Sequence, residues 1–227
     1  MNFLNDFLNL FYPKLCPVCG GDLTGGESAL CTTCLYHLPK TEYHLYKDHA
    51  LARVFWGRVN LEHTAALYNF DKDSNYRNLI HQIKYHGRKE MGFELGKLLG
   101  AELKHSEITN IDMIIPVPLH KKKQKQRGYN QSECIARGLS ESIEKPLFTD
   151  ILIRSVANPT QTRKSRYERW ENVEGIFDVM NKEALKDKHI LLVDDVITTG
   201  STIEACAQSI LQVSGTQISV AVLAFAT

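Results

Sequence analysis

Residues 189–211, HILLVDDVITTGSTIEACAQSIL, constrain the fold more tightly than any other stretch of the chain. HILLV is apolar at successive positions, as a strand covered on both faces must be, and such strands belong to the interior of a parallel sheet. It ends in two adjacent carboxylates, Asp194 and Asp195. Small hydroxylated residues and a glycine follow before STIEACAQSILQVSG begins a helix. In an open parallel sheet, ligands bind beyond the carboxyl ends of the strands, so the acids are expected at the binding edge.

Thr198, Thr199, Gly200, Ser201 and Thr202 form the turn into that helix. Gly200 permits a backbone twist that turns successive N–H groups inward. The helix N-terminus adds about half a positive charge, and the hydroxyls add donors, so the turn has the makings of a phosphate cup. It is neither a Walker A sequence nor a three-glycine dinucleotide fingerprint. Carboxylates accept hydrogen bonds from vicinal hydroxyls, and a ribose 5-phosphate offers hydroxyls at one end and phosphate at the other. Two plainer readings compete: an N-cap cluster behind two solvated acids, and a Mg²⁺-binding acid pair that leaves the cup idle.

The pattern elsewhere agrees with an α/β fold. TAALYNFD reads as a strand, SNYRNLIHQIKYHGR as a helix capped by Ser74, and EMGFELGKLLGAELKHS as a second amphipathic helix. IDMIIPVPL is a short buried strand stopped by Pro116 and Pro118. HKKKQKQRGYNQ reads as a basic loop before the helix SECIARGLSESI. LFTDILIRS, IFDVM and QISVAVLAFAT read as strands, and VANPTQTRKSRYERWENVEG as a long polar loop. Loops of that length in compact domains are usually functional or disordered. Strands alternate with helices from about residue 64, as in a parallel sheet flanked by helices.

Four of the six cysteines fall in CPVCGGDLTGGESALCTTC, as Cys16, Cys19, Cys31 and Cys34. Each pair is C-x-x-C, which lets two thiolates face inward on a tight turn, and two such turns close a tetrahedron around Zn²⁺. Disulfides need an oxidising compartment, and a redox C-x-x-C leaves the second pair unexplained. A structural four-cysteine zinc site is therefore expected. His37 could replace one of the four cysteines, but Cys34 fits better; Cys134 and Cys206 lie in helical patterns as inert thiols, and His37, His44, His49 and His63 show no metal spacing among themselves.

With 227 residues, the chain fits one large domain with a small appendage. The division expected is 1–45 for an N-terminal helix and zinc knuckle, and 46–227 for the α/β domain. Net charge is +1, so electrostatic recruitment of a polyanion must be local. Phe3, Leu4, Phe7, Leu8 and Phe11 have helical spacing, and neither a cleavage site nor a basic leader accompanies them. No apolar run is long enough to cross a membrane, so no membrane association and a cytoplasmic location are expected.

LLVDDVITTGST resembles the phosphoribosyl-pyrophosphate (PRPP) motif of type I phosphoribosyltransferases. The chain is similar nearly throughout to the ComF (competence protein F) family. The double C-x-x-C, IKYHGR, IIPVPLHKKKQKQRGYNQ, NPTQTRKSRYERWENVEGIF and the terminal motif all carry that resemblance. It implies that Asp194 and Asp195 hold the ribose hydroxyls and act in catalysis, and that Thr198, Thr199, Gly200, Ser201 and Thr202 hold the 5-phosphate. Pro116, Val117 and Pro118 take the place of the pyrophosphate loop, and residues 158–172 match a flexible lid. Lys84, Lys121, Lys122, Lys123, Arg127, Arg163, Lys164 and Arg166 are the candidate cations for the pyrophosphate, with Mg²⁺ carrying part of its charge. Asn130 and Gln131 gather further donors before a helix.

The acceptor is not legible. A transferase acting from PRPP therefore stands beside two other classes: a non-catalytic nucleotide sensor, and a single-stranded-DNA-handling partner of competence proteins. For the last, Lys121, Lys122 and Lys123 could track the backbone, with Tyr129, Tyr167 and Trp170 as stacking faces.

Overall fold

The computed structural model describes residues 14–104, 106–155 and 176–227. The expected N-terminal helix and the lid with Arg163, Lys164, Arg166, Tyr167 and Trp170 lie outside them. Among the described residues, no helix is long and apolar enough to cross a membrane.

Four strands form a wholly parallel sheet: β1 (Thr64–Phe70), β2 (Met113–Pro116), β5 (His189–Ile197) and β6 (Gln217–Ala226), in the order β1-β6-β5-β2. The expected strand LFTDILIRS is shorter and lies elsewhere. β3 (Leu152–Arg154) pairs antiparallel with β4 (Phe177–Val179) in a separate two-stranded sheet. HILLV is buried as expected, with Ile190 through Val193 fully enclosed between two apolar layers.

One layer holds α3 (Arg77–Tyr85), α4 (Lys89–Leu103) and α6 (Gln131–Ile143), packed against Leu191 and Val193. The other holds α7 (Ser201–Leu211) and the β3–β4 pair, packed against Ile190 and Leu192. The chain therefore leaves β2 toward one face and leaves its neighbour β5 toward the other. Connections that diverge in this way open a crevice at the carboxyl ends of the two strands.

α4 and α6 meet at backbone distance. A Cβ on Gly96 would lie 2.1 Å from the Ile135 carbonyl oxygen, and one on Gly138 would lie 1.9 Å from that of Phe93. This contact is not visible in the amphipathic pattern, which marks apolar faces and not missing side chains.

Two local expectations need correction. HKKKQKQ is not a loop: α5 spans Lys121–Arg127. It has no apolar stripe, which is why periodicity overlooks it. His120 Nδ1 accepts the Lys122 N–H at 3.2 Å to cap it, and Lys125 and Arg127 sit near its C-terminus, where cations are favourable. Ser74 is not the N-cap of α3, which is Tyr76. The Ser74 hydroxyl instead accepts the Tyr76 N–H at 3.3 Å, just ahead of the helix.

The cysteine segment, with the short helix α1 (Thr32–Tyr36), packs into the α3 layer. Cys16, Leu30, Cys34 and Leu38 share that core with Leu67, Tyr68, Leu79 and Ile83. The Tyr76 hydroxyl donates to the Cys34 carbonyl at 2.9 Å. Pro39 and Thr41 cover the outer edge of β1 by backbone hydrogen bonds to Asn69 and Leu67. A second short helix, α2 (Ala50–Arg53), leads into Val54 and Phe55 on the opposite face of the sheet.

Candidate functional site

Asp194 and Asp195 lie at the end of β5 with only 8% and 3% exposure. Burial raises the pKa of both. Asp194 is pushed up to about 7, by loss of solvation first and then by the charge of Asp195, against the hydrogen bond from Ser132. Asp195 is raised by burial, against the opposing pull of Lys84.

Their partners come from the α3/α6 layer. Ser132 Oγ donates to Asp194 Oδ1 at 2.7 Å. Lys84, near the C-terminus of α3, places Nζ 3.0 Å from Asp195 Oδ1. The other oxygen, Asp195 Oδ2, is buried without a hydrogen-bond partner among the described residues. Two buried acids, one paired with Lys84, stabilised also by the charge of Arg127, and left with an unmatched acceptor, form a site that can take donor groups from a ligand.

Around the acids is a cleft of about 180 Å³ lined by Lys84, Val117, Pro118, Lys123, Arg127, Arg154 and Thr202. The Val117 N–H donates to the Val193 carbonyl at 2.8 Å, which carries the PVP segment alongside the acids. Asn130 fixes that segment by donating from Nδ2 to the Val117 carbonyl at 2.9 Å, and its Oδ1 caps α6 by accepting the Ser132 N–H at 3.2 Å. Asn130 is therefore both the cap of α6 and the anchor of the PVP segment. Gln131 Oε1 accepts from Arg127 at 2.9 Å. Lys84, Lys123 and Arg127 also line an adjoining hollow of about 270 Å³.

The TTGST turn is held from behind. Gly200 has φ +77°, and a Cβ there would lie 2.8 Å from both Phe55 and Val54. Arg58 donates to the Thr199 carbonyl at 2.8 Å and pairs with Glu204 of α7 through Nε at 3.0 Å. Thr198, Thr199, Ser201 and Thr202 remain exposed. Thr202 lines the acid cleft, whereas Thr198 lines a different hollow, beside Lys84.

Sequence reasoning missed Ser132, Arg154 and Arg58; of the three lysines it named together, Lys123 is the one that lines the cleft. Ser132 follows YNQ directly, but a hydroxyl at a helix start reads as a cap. Tyr129, expected as a stacking face, is buried and donates to the Ile83 carbonyl. A ring enclosed in that way is not available to a base.

The four cysteines converge. The Sγ atoms of Cys16, Cys19, Cys31 and Cys34 lie within 4.8 Å of one another, and Cys19 and Cys31 are 3.7 Å apart. A tetrahedron with metal–sulfur bonds of about 2.3 Å has edges of about 3.8 Å, so the cluster could hold a metal such as zinc. Burial opposes ionisation of Cys16, but backbone N–H groups of Cys31, Cys19 and Val18 bring its thiol down to about 7. Glu27 ties the two cysteine turns together. It accepts the N–H groups of Thr24 at 2.8 Å and Thr32 at 2.6 Å, which lower its pKa to about 2. Cys206 is fully buried in α7, where burial raises its pKa well above the usual thiol range. His49 bonds to Ala52 and Thr64 and stacks on Tyr43 at 4.4 Å, an ordinary packing role.

A parallel sheet with a carboxylate pair and a hydroxyl-rich turn at its binding edge defines a phosphoribosyltransferase-type domain, and the family described as "Phosphoribosyl transferase domain" matches residues 130–226. The chain belongs to the ComF family. It is 32% identical over 203 residues to the DNA utilization protein YhgH of Shigella flexneri, covering 87% of this chain and 84% of that protein. It is 31% identical over 147 residues to competence protein F of Haemophilus influenzae, covering 63% and 64%. Among solved structures, the glutamine PRPP amidotransferase of B. subtilis overlays 63% of this chain and 30% of that one, at 19% identity and a TM-score of 0.46.

Proposed function

We propose that the crevice beyond β5 and β2 binds PRPP, or a related ribose 5-phosphate, and that the protein transfers the phosphoribosyl group. The observation that carries this reading is the buried acid pair with an unmatched oxygen on Asp195, just before the exposed hydroxyls of residues 198–202. Asp194 and Asp195 would accept from the ribose hydroxyls. The turn and the N-terminus of α7 would hold the 5-phosphate. Lys84, Lys123 and Arg127, with Pro116–Pro118 alongside, would face the pyrophosphate. When bound, Mg²⁺ supplies charge neutralisation at that leaving group. Arg163, Lys164 and Arg166 remain candidates for closing over it.

Residues 1–45 would serve as the zinc module and 46–227 as the phosphoribosyl domain. Thiols kept reduced for a metal fit a cytoplasmic protein. The test is calorimetric titration with PRPP and Mg²⁺. Asp195→Asn should weaken binding about ten- to a hundred-fold, as expected for a lost charge-assisted hydrogen bond. Equal affinity in the variant overturns the ribose role. Pyrophosphate release in the presence of an acceptor then separates a transferase from a nucleotide sensor.

A second reading has its own support. The side chains of Lys121, Lys122 and Lys125 on α5 are exposed, and no ion pair engages them among the described residues. The relatives carry names of DNA use and competence. A single strand tracked by α5 would give anisotropy affinities falling linearly with log salt, with a slope of about −0.7 per phosphate contacted. Neutralising Lys121, Lys122 and Lys125 should flatten that slope, and Asp195→Asn should leave it unchanged.

A further inference from the structure

A third hollow, of about 480 Å³, shares Lys84 with the acid cleft and lies at the carboxyl ends of β1 and β6. Its walls are of two kinds. Phe70, Ile80 and Tyr85 supply apolar and aromatic surface, and Tyr85 is 63% exposed. Lys72 and Arg77 supply positive charge, and neither has an ion-pair partner among the described residues. Asp71 is the acid on this wall, and its Oδ1 is engaged by the Asp73 N–H at 3.1 Å. Lys84 is engaged by Asp195. The hollow therefore carries two cations free of ion pairs among the described residues, with the charge of Asp71 on the same wall, beside an exposed ring.

We propose that this hollow binds the acceptor, and that the acceptor is a planar aromatic carboxylate, not a neutral base. The inference rests on the ribose-phosphate reading above. Displacement at the anomeric carbon brings the acceptor in opposite the leaving group. The hollow lined by Lys84, Lys123 and Arg127 suits a pyrophosphate, because its walls are cationic and Tyr85 is its only aromatic among the described residues. The Phe70–Arg77–Tyr85 hollow adjoins Lys84 as well and combines a stacking surface with cations. In the transfer, a ring nitrogen would donate its lone pair to the anomeric carbon. The carbon–oxygen bond would break, with its electrons leaving on pyrophosphate. Any proton on that nitrogen would pass to solvent. The carboxylate would stay ionised throughout, held by Arg77 and Lys72.

The test uses the full chain and ligand-observed NMR, with nicotinate and orotate as aromatic acids and adenine and uracil as neutral bases, each with and without PRPP and Mg²⁺. PRPP binding is measured separately by calorimetry, so its failure would implicate the ribose reading and not this one. The expected result is that at least one acid binds and neither neutral base competes. Arg77→Gln should weaken that acid about ten- to a hundred-fold and leave PRPP affinity unchanged. Tyr85→Ala should weaken the acid without restoring neutral-base binding. Binding of neutral bases as tight as that of the acids, no acid binding at millimolar concentration, or an Arg77→Gln variant with undiminished acid affinity overturns the proposal. Displacement of the acid by Mg²⁺-pyrophosphate would also overturn it, by assigning the hollow to the leaving group.

Discussion

The cysteine cluster and the carboxylate edge each crowd groups of one charge type, and the fold manages the two in opposite ways. Four thiols lie within 4.8 Å of one another, on turns clamped by Glu27. A cation at their centre would satisfy four thiolates together, so that region could hold a fixed occupant. The acids at the end of β5 instead have separate side-chain partners, the Ser132 hydroxyl on Asp194 and Lys84 on Asp195. Each of those partners can be exchanged. Crowding relieved by a fixed ion suits a structural role, and crowding relieved by replaceable partners suits ligand binding.

The largest effect expected is at the cysteines. Structural zinc contributes on the order of 10 kcal/mol to the folding of small modules, so loss of one ligand should cost several kcal/mol. Cys31→Ser should lose zinc by elemental analysis and unfold at lower temperature by circular dichroism. Because Cys16 and Cys34 share a core with Leu79 and Ile83, the loss should extend into α3. Full zinc content in the variant, or none in the wild type, breaks the comparison on its structural side.

The pH dependence of the acid pair comes next. The folded chain holds the Asp194 proton up to a pH of about 7, whereas an unfolded aspartate releases it near ~4. Its contribution to stability is thus fully present below about pH 4 and is lost as pH rises through about 7. The difference corresponds to at most ~4 kcal/mol. Asp194→Asn keeps an acceptor for Ser132 and removes the titration. Urea unfolding should find it more stable than the wild type at about pH 8, with the difference shrinking toward about pH 4. Equal pH profiles would mean that the pair carries no burial cost.

The smallest effect joins the two regions. Tyr76→Phe removes the hydroxyl that bonds α3 to the Cys34 carbonyl, at a cost of about 1 kcal/mol. If α3 transmits the state of the knuckle to Lys84, PRPP affinity should fall slightly in this variant. Unchanged affinity at reduced stability would show the two regions to be independent.

How much of this was legible in the sequence follows from what each pattern encodes. Period and composition identify HILLV as a buried parallel strand and the double C-x-x-C as a convergent cluster, because burial and ligand spacing are local properties. The acid edge was legible to the same extent, since Asp194 and Asp195 follow the strand directly. Their pairing with other elements was not: Ser132, Lys84 and Arg154 come from α6, α3 and β3, far apart in the chain, and meet only through the tertiary fold. α5 was hidden because a helix charged on all sides has no period. The α4–α6 contact was hidden because Gly96 and Gly138 act by what they lack.

The central claim is that the acids grip ribose hydroxyls. The direct test compares ribose 5-phosphate with 2-deoxyribose 5-phosphate by calorimetry, in the wild type and in Asp195→Asn. The account predicts that loss of the hydroxyl weakens wild-type binding about tenfold or more, and that this discrimination shrinks in the variant. Equal affinity for the two sugars in the wild type, or equal discrimination in both proteins, would contradict it.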